Sequence, residues 1–162
     1  PGIGADYFSV RWTGQIEAKH SETYTFTMTG DDRLKLVVNG RTLIDRGFYS
    51  PNEASGAITL EAGRRYDIEV SMAEDAGGAG ARLWWQSASQ PRQVVPAGQL
   101  FPTAQYQTVT VRTGTGRGAD AGYQIIDAGV FAEYLANNSV SGTPTFSRVE
   151  GGINTFWGGG GP

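Results

Sequence analysis

The chain has 162 residues, 39% of them hydrophobic, with no cysteine and a formal net charge of −3. That length suits one domain, or one domain with a sizeable appendage, and the mild charge gives no electrostatic basis for nucleic acid or an anionic membrane as partner. Disulfide and thiolate chemistry are excluded, and no apolar run approaches the roughly 18 residues of a membrane-spanning helix. The 24 glycines, about twice the usual share of roughly 7%, favour many turns over long helices.

Taken in order, Pro1 to Asp6 is a lead-in without core pattern. From Tyr7 to Ala18, Phe8, Val10, Trp12 and Ile16 alternate with polar residues, as a half-buried strand does. Lys19 to Glu22 is a polar turn, and His20 within it reads as solvated. Tyr24, Phe26 and Met28 then alternate with threonines, and Leu34, Leu36 and Val38 alternate with Arg33 and Lys35. Between these two strands stands Gly30-Asp31-Asp32, two adjacent acids at a strand end. Asn39-Gly40 supplies the positive-φ pair of a tight hairpin, and Arg41 to Asp45 is the returning strand. Gly47 to Gly56 is expected to be a loop, Ala57 to Leu60 a short strand, and Glu61-Ala62-Gly63 a turn. Arg64 to Met72 alternates again. Ala73 to Gly80 is a small-residue loop with Glu74 and Asp75, and Ala81 to Ser87 is a strand with Trp84 and Trp85 on opposite faces. Val94 to Pro102 closes the pattern as an edge, where proline is tolerated. Short strands separated by turn signals predict an all-β, two-sheet antiparallel sandwich.

Residues 103–125 change in character: Thr, Gly and Gln dominate, and the segment reads as a connector with strand-forming pieces TVTV and YQII. Its Gly114-Thr115-Gly116-Arg117-Gly118 is not a phosphate-binding loop, since no Gly-Lys-Ser/Thr follows. In 126–162, Asp127 could cap a helix, and Val130, Phe131, Tyr134 and Leu135 stand at helical spacing.

The stretches F-S-V-R-W-T-G, E-T-Y-T-F, D-D followed by L-x-L-x-V-N-G and L-I-D, Y-D-I-E-V, and G-G-A before R-L-W-W resemble, in order, the PA14 domain, a β-sandwich of bacterial toxins, glycosidases and adhesins. The resemblance runs from Tyr7 to Pro102. It also reaches the tail, where G-V-F-A-E-Y-L, S-G-T-P, F-S-R-V-E and I-N-x-x-W-G-G-G-x-P are similar to the beginning of a PA14 domain, so that it implies a strand where spacing suggests a helix. Residues 1–102 thus look like the body of a PA14-like sandwich and 126–162 like its first strands. Three arrangements follow: one period of a tandem-repeat protein cut inside the domain, a permuted domain that closes on itself, or a tail that completes a neighbouring copy. Starting at Pro1 without methionine or leader, the chain is expected to be a processed product or a slice of something longer. A body lacking its first strands exposes an apolar groove and open edges, which must be covered from somewhere. Val130, Phe131, Tyr134, Leu135, Phe146, Val149, Ile153, Phe156 and Trp157 are the residues expected to do so, and a head-to-tail contact that does not close would give a filament.

The resemblance also implies chemistry. In glycan-binding members, an Asp-Asp pair joined by a cis peptide binds calcium, which holds vicinal sugar hydroxyls. Here that pair is Asp31-Asp32, with Asp75 and the Gly77 carbonyl as further metal ligands and Glu74 near the sugar. Calcium takes six to eight oxygens, so carboxylates plus loop carbonyls suit it. Two features depart from the pattern: Glu74-Asp75-Ala76 stands where an Asn or Gln is often found, and the loop carries no evident aromatic to read a sugar. No cysteine nucleophile, triad histidine or G-x-S-x-G motif is present, so catalysis is not expected. Asn137-Asn138-Ser139 is a glycosylation sequon. The expected function is a non-enzymatic structural or adhesive repeat unit of an extracellular or cell-surface protein, partnered by copies of itself through strand complementation. The alternative is a calcium-dependent carbohydrate-binding module partnered by glycans.

Overall fold

The structure, a computed structural model, describes residues 2–48, 53–103 and 128–162. The strands are β1 (Phe8–Glu17), β2 (Glu22–Asp31), β3 (Arg33–Val38), β4 (Arg41–Arg46), β5 (Glu53–Leu60), β6 (Arg65–Glu74), β7 (Ala79–Ser87), β8 (Gln90–Val94), β9 (Leu100–Phe101), β10 (Val130–Leu135), β11 (Phe146–Glu150) and β12 (Asn154–Gly158). They form two antiparallel sheets. The first has the order β11-β10-β1-β6-β3-β4, with β9 also on β1; the second is β12-β7-β2-β5, with β8 also on β7. The two inner faces meet in one core, with Trp12, Trp85, Tyr24, Phe26 and Met28 fully buried. Each is an inward position of the period-two pattern, which is why the alternation was legible. Asn39 and Gly40 both have positive φ, as a two-residue hairpin turn demands.

β5 begins earlier than its apolar pattern suggests. It runs beside β2 from Glu22↔Leu60 to Thr29↔Glu53, taking in residues expected to be loop. Gly56 permits this: a Cβ there would lie 2.4 Å from the Leu43 carbonyl oxygen of β4.

The tail pairs with its own body. β10 runs antiparallel to β1 (Ser9↔Leu135 to Thr13↔Phe131), β11 to β10, and β12 to β7 (Asn154↔Arg82 to Gly158↔Ala79). The helix suggested by spacing at Val130, Phe131, Tyr134 and Leu135 is therefore a strand. Its buried residues Val130, Ala132 and Tyr134 alternate with half-buried Phe131 and Glu133, and the pairing to β1 and β11 satisfies its backbone. Body and tail divide two strand edges between them. On β1, Ser9–Thr13 take β10 while Gln15–Ile16 take β9. Gly14 lies between, where a Cβ would fall 2.7 Å from the Phe101 carbonyl oxygen. On β7, Ala79–Arg82 take β12 and Trp84–Ser87 take β8. The head-to-tail filament expected from a free tail is thus not what the structure builds, because the edges of β1 and β7 that the body leaves open are filled within the chain.

The expected assembly residues divide accordingly. Val130, Tyr134, Leu135 and Ile153 are buried, Phe131, Phe146, Val149 and Trp157 are half-buried, and Phe156 is exposed. Tyr134 stacks on Phe146 with centroids 4.4 Å apart, and Trp157 meets Phe8 edge-on at 5.4 Å. A polar knot ties the same layer: the indole N–H of Trp12 donates to Glu150 Oε2 at 2.7 Å, the Tyr134 hydroxyl donates to Glu150 Oε1, and Arg148 donates to both Glu150 and Tyr134. The connector at 103–125, with TVTV and YQII, lies outside the described residues apart from Thr103.

Candidate functional site

Asp31 ends β2 and Asp32 stands between β2 and β3, joined by a cis peptide. β3 and β1 both pair with β6, so the end of β6 and the loop after it come to lie against the acid pair and the lead-in. The contacts are specific. The Asp75 N–H donates to Asp32 Oδ2 at 2.9 Å, the Gly77 N–H to Asp6 Oδ1 at 3.0 Å, and the Tyr7 N–H to the Asp75 carbonyl at 3.3 Å. From the tail, the Asn138 amide donates to Asp75 Oδ1 at 3.1 Å. Five acids (Asp6, Asp31, Asp32, Glu74 and Asp75) thus share one end of the sandwich.

Their cationic neighbour is Arg46 of β4, itself buried, which donates to the carbonyls of Gly30 at 2.9 Å and Asp32 at 2.5 Å. Burial pulls its guanidinium below its ordinary range, against the opposing pull of Asp31 and Asp32. Asp31 is raised by burial, then by its hydrogen bond with Asp32 and that carboxylate's charge. Glu74 is the extreme case. It is fully buried, neither carboxylate oxygen has a hydrogen-bond partner among the described residues, and it is pushed up to about 7 by burial and by Asp32, Asp31, Asp6 and Asp75 in turn.

The structure brings Asp31, Asp32, Glu74, Asp75 and Gly77, the residues singled out in the sequence, to one end of the sandwich. What sequence reasoning missed came from a distance. In the sequence Asp6 belongs to a lead-in without core pattern, Arg46 falls outside every marked element, and Asn138 stands only in a sequon. An amide expected in the loop itself arrives instead from the tail, as Asn138. The position named in that sequon, Asn137, is tied up locally: its side chain bonds Ser139 and the Ser141 carbonyl. His20 stands exposed in its turn, as expected.

The donor set suits a hard cation. An orphaned, fully buried carboxylate among four other acids is a cost that a divalent ion would offset, and the oxygens at hand are carboxylate, amide and carbonyl. Among the described residues, no three acids already stand as a closed metal-binding group. Carbonyls would therefore have to complete a coordination sphere.

Residues 1–99 match the family profile of the PA14 domain. The chain belongs to the PA14 domain family. Over 157 residues it is 36% identical to the anti-sigma-I factor RsgI3 of Acetivibrio thermocellus, an alignment covering 96% of this chain and 22% of that protein. It is 28% identical over 98 residues to the protective antigen of Bacillus anthracis, covering 58% of this chain and 12% of that one. Two solved structures of anti-sigma factor domain-containing proteins are also similar, each over 88% of this chain and 44% of theirs. One has 36% identity and a TM-score of 0.58; the other, from Clostridium clariflavum, has 31% and 0.57. The chain therefore spans only a minor part of the relatives it matches. No helix among the described residues is long and apolar enough to cross a membrane.

Proposed function

We propose that this chain is a calcium-dependent carbohydrate-binding module at the extracellular face of a larger protein, acting by recognition and without turnover. The observation that carries the reading is Glu74, buried beside Asp31-Asp32 and without a hydrogen-bond partner among the described residues. Asp31, Asp32 and Asp75 would hold the ion through carboxylates, with the Gly77 carbonyl and Asn138 amide completing the oxygen set. A bound calcium supplies a centre to which vicinal sugar hydroxyls coordinate. The protein's part is to fix the carboxylates: the Asp75 amide orients Asp32, Asn138 orients Asp75, and Arg46 fixes the backbone of Gly30 and Asp32. Membership of the PA14 family supports a binding role, and the likeness to an anti-sigma-I factor supports one within a sensing protein. Titration calorimetry tests it: calcium binding is expected, with glycan retention only in its presence, both lost in Asp31→Ala and Asp32→Ala. Glycan binding undiminished in a chelator would sink it.

A second reading keeps a structural role, in which the tail completes the sandwich of a neighbouring repeat. What favours it is the order of the match to the anti-sigma-I factor: the alignment covers nearly the whole of this chain, so a much longer relative carries body, connector and tail in the same succession. The extent of tail exchange between copies tests this second reading.

A further inference from the structure

The outer face of the second sheet carries a groove beside the acid cluster. Register puts Asp31 of β2, Gly80 of β7 and Phe156 of β12 on one rung, and Thr29, Arg82 and Asn154 on the rung two residues away. Paired residues on neighbouring strands share a face. Met28, Ala81 and Leu83, which alternate with these positions, are buried in the core, so this rung pair faces outward. Gly80 leaves the space between Asp31 and Phe156 open: a Cβ there would fall 2.9 Å from the Phe156 ring. The result is an open groove of about 260 Å³ with Asp31 and Phe156 along it. That is below the roughly 300–1,000 Å³ of sites for drug-sized ligands and suits a single ring.

Two side chains there are available to a ligand. Phe156 is 77% exposed, the most exposed large hydrophobic residue among those described. Arg82 is fixed in direction, donating from Nε to Asn154 Oδ1 at 2.5 Å and lying 5.6 Å from the Trp84 ring centroid. Among the described residues it takes part in no ion pair with a carboxylate. Its neighbour Arg92, also over Trp84, is by contrast paired with Glu53 at 2.9 Å.

We infer that this groove is a sugar subsite contiguous with the acid cluster, taking a pyranose that carries a carboxylate, a uronic acid residue, with its apolar ring face on Phe156 and its carboxylate on Arg82. A pyranose presents a face of C–H groups to the negative face of an aromatic ring. A guanidinium held at one nitrogen still offers its planar fork to a carboxylate, and a neutral sugar would leave that fork without its anionic partner. The inference rests on reading the acid cluster as a carbohydrate site, and the test separates the two.

Calorimetry with galacturonate and glucuronate oligosaccharides, beside neutral galactose, glucose and mannose oligosaccharides, is run in calcium on the wild-type chain, Phe156→Ala, Arg82→Gln and Asp31→Ala. Terbium luminescence reads metal affinity separately. Phe156→Ala is expected to weaken sugar binding by a few-fold to roughly tenfold while metal affinity stays unchanged. Arg82→Gln is expected to erase the preference for uronates and leave neutral sugars as they were. If Phe156→Ala binds sugar as the wild type does while Asp31→Ala does not bind, the groove is no subsite, although the calcium-dependent reading stands. A wild-type preference for neutral sugars, unmoved by Arg82→Gln, overturns the acidic class. Failure of the wild type to bind any of these sugars overturns both readings.

Discussion

At the residue scale, Glu74 and Glu22 have opposite environments and opposite consequences. Glu74 is fully buried with no hydrogen-bond donor among the described residues, and its neighbours are acids, so the ionised form is destabilised and the group is pushed up to about 7. Glu74→Gln removes the buried charge while keeping the shape. In a chelator at about pH 8, thermal unfolding should show the variant more stable than the wild type by about 1–3 kcal/mol. Calcium should then raise its melting temperature less than it raises the wild type's. Glu22, half-buried at the start of β2, accepts from the hydroxyl and the N–H of Ser89, and these bonds hold it down at about 2 from an ordinary 4.5. The sign follows from linkage. A carboxylate with a depressed folded value contributes stability above its unfolded value, and that contribution is lost as pH falls from 4.5 toward 2. Urea unfolding at about pH 7 and about pH 3 should show Glu22→Gln losing less stability over that window than the wild type does.

At the scale of elements, what holds the tail is β11, through a carboxylate it delivers to the core side of β1. Glu150 accepts from Trp12, whose side chain is fully buried, and from Tyr134. Glu150→Ala would leave both donors without an acceptor, at about 1–3 kcal/mol each by the usual cost of an unmade buried hydrogen bond. Glu133→Ala on β10 removes the 2.7 Å pair with Arg11, but those side chains are partly exposed and the loss should be about 1 kcal/mol or less. Denaturant midpoints of the two variants check the contrast; equal losses would mean that the knot around Glu150 is not what fastens the tail. This element also shows why sequence spacing misleads. Val130, Tyr134 and the residues beside them satisfy helical and strand periods at once over so short a run. Only the open edge of β1, more than a hundred residues away, selects the strand.

At the scale of the whole molecule, the body covers half of each of two strand edges and the tail covers the other half. A chain closed in this way is expected to be monomeric, with or without calcium, by light scattering after size-exclusion chromatography. Discrete multimers that exchange subunits would instead favour tails serving neighbours. A chain shortened to residues 1–103 exposes the edges of β1 and β7 and the Phe8 ring beneath Trp157, and should aggregate. A separate peptide of residues 128–162 should restore a soluble one-to-one complex, and failure to do so would count against the tail as the missing part of the sandwich.

The strands of the body and the Asn39-Gly40 turn were legible because a strand's alternation and a turn's φ requirement are local: they are written in adjacent residues and need no partner to be read. Asp31-Asp32 was legible for the same reason, as was its neighbourhood with Glu74 and Asp75, once the resemblance supplied the fold. The tertiary structure alone decided that the tail strands take the open edges of β1 and β7, that Asn138 meets Asp75, that Arg46 lies under the acid pair, and that Phe156 and Arg82 border one groove with Asp31. Each of these depends on strand register between segments far apart in the chain, as when the Val140 N–H meets Ser9 across 131 positions. Such pairings are chosen by which edges remain open after local strands have formed. That is a property of the assembled sheets and of no short stretch of sequence.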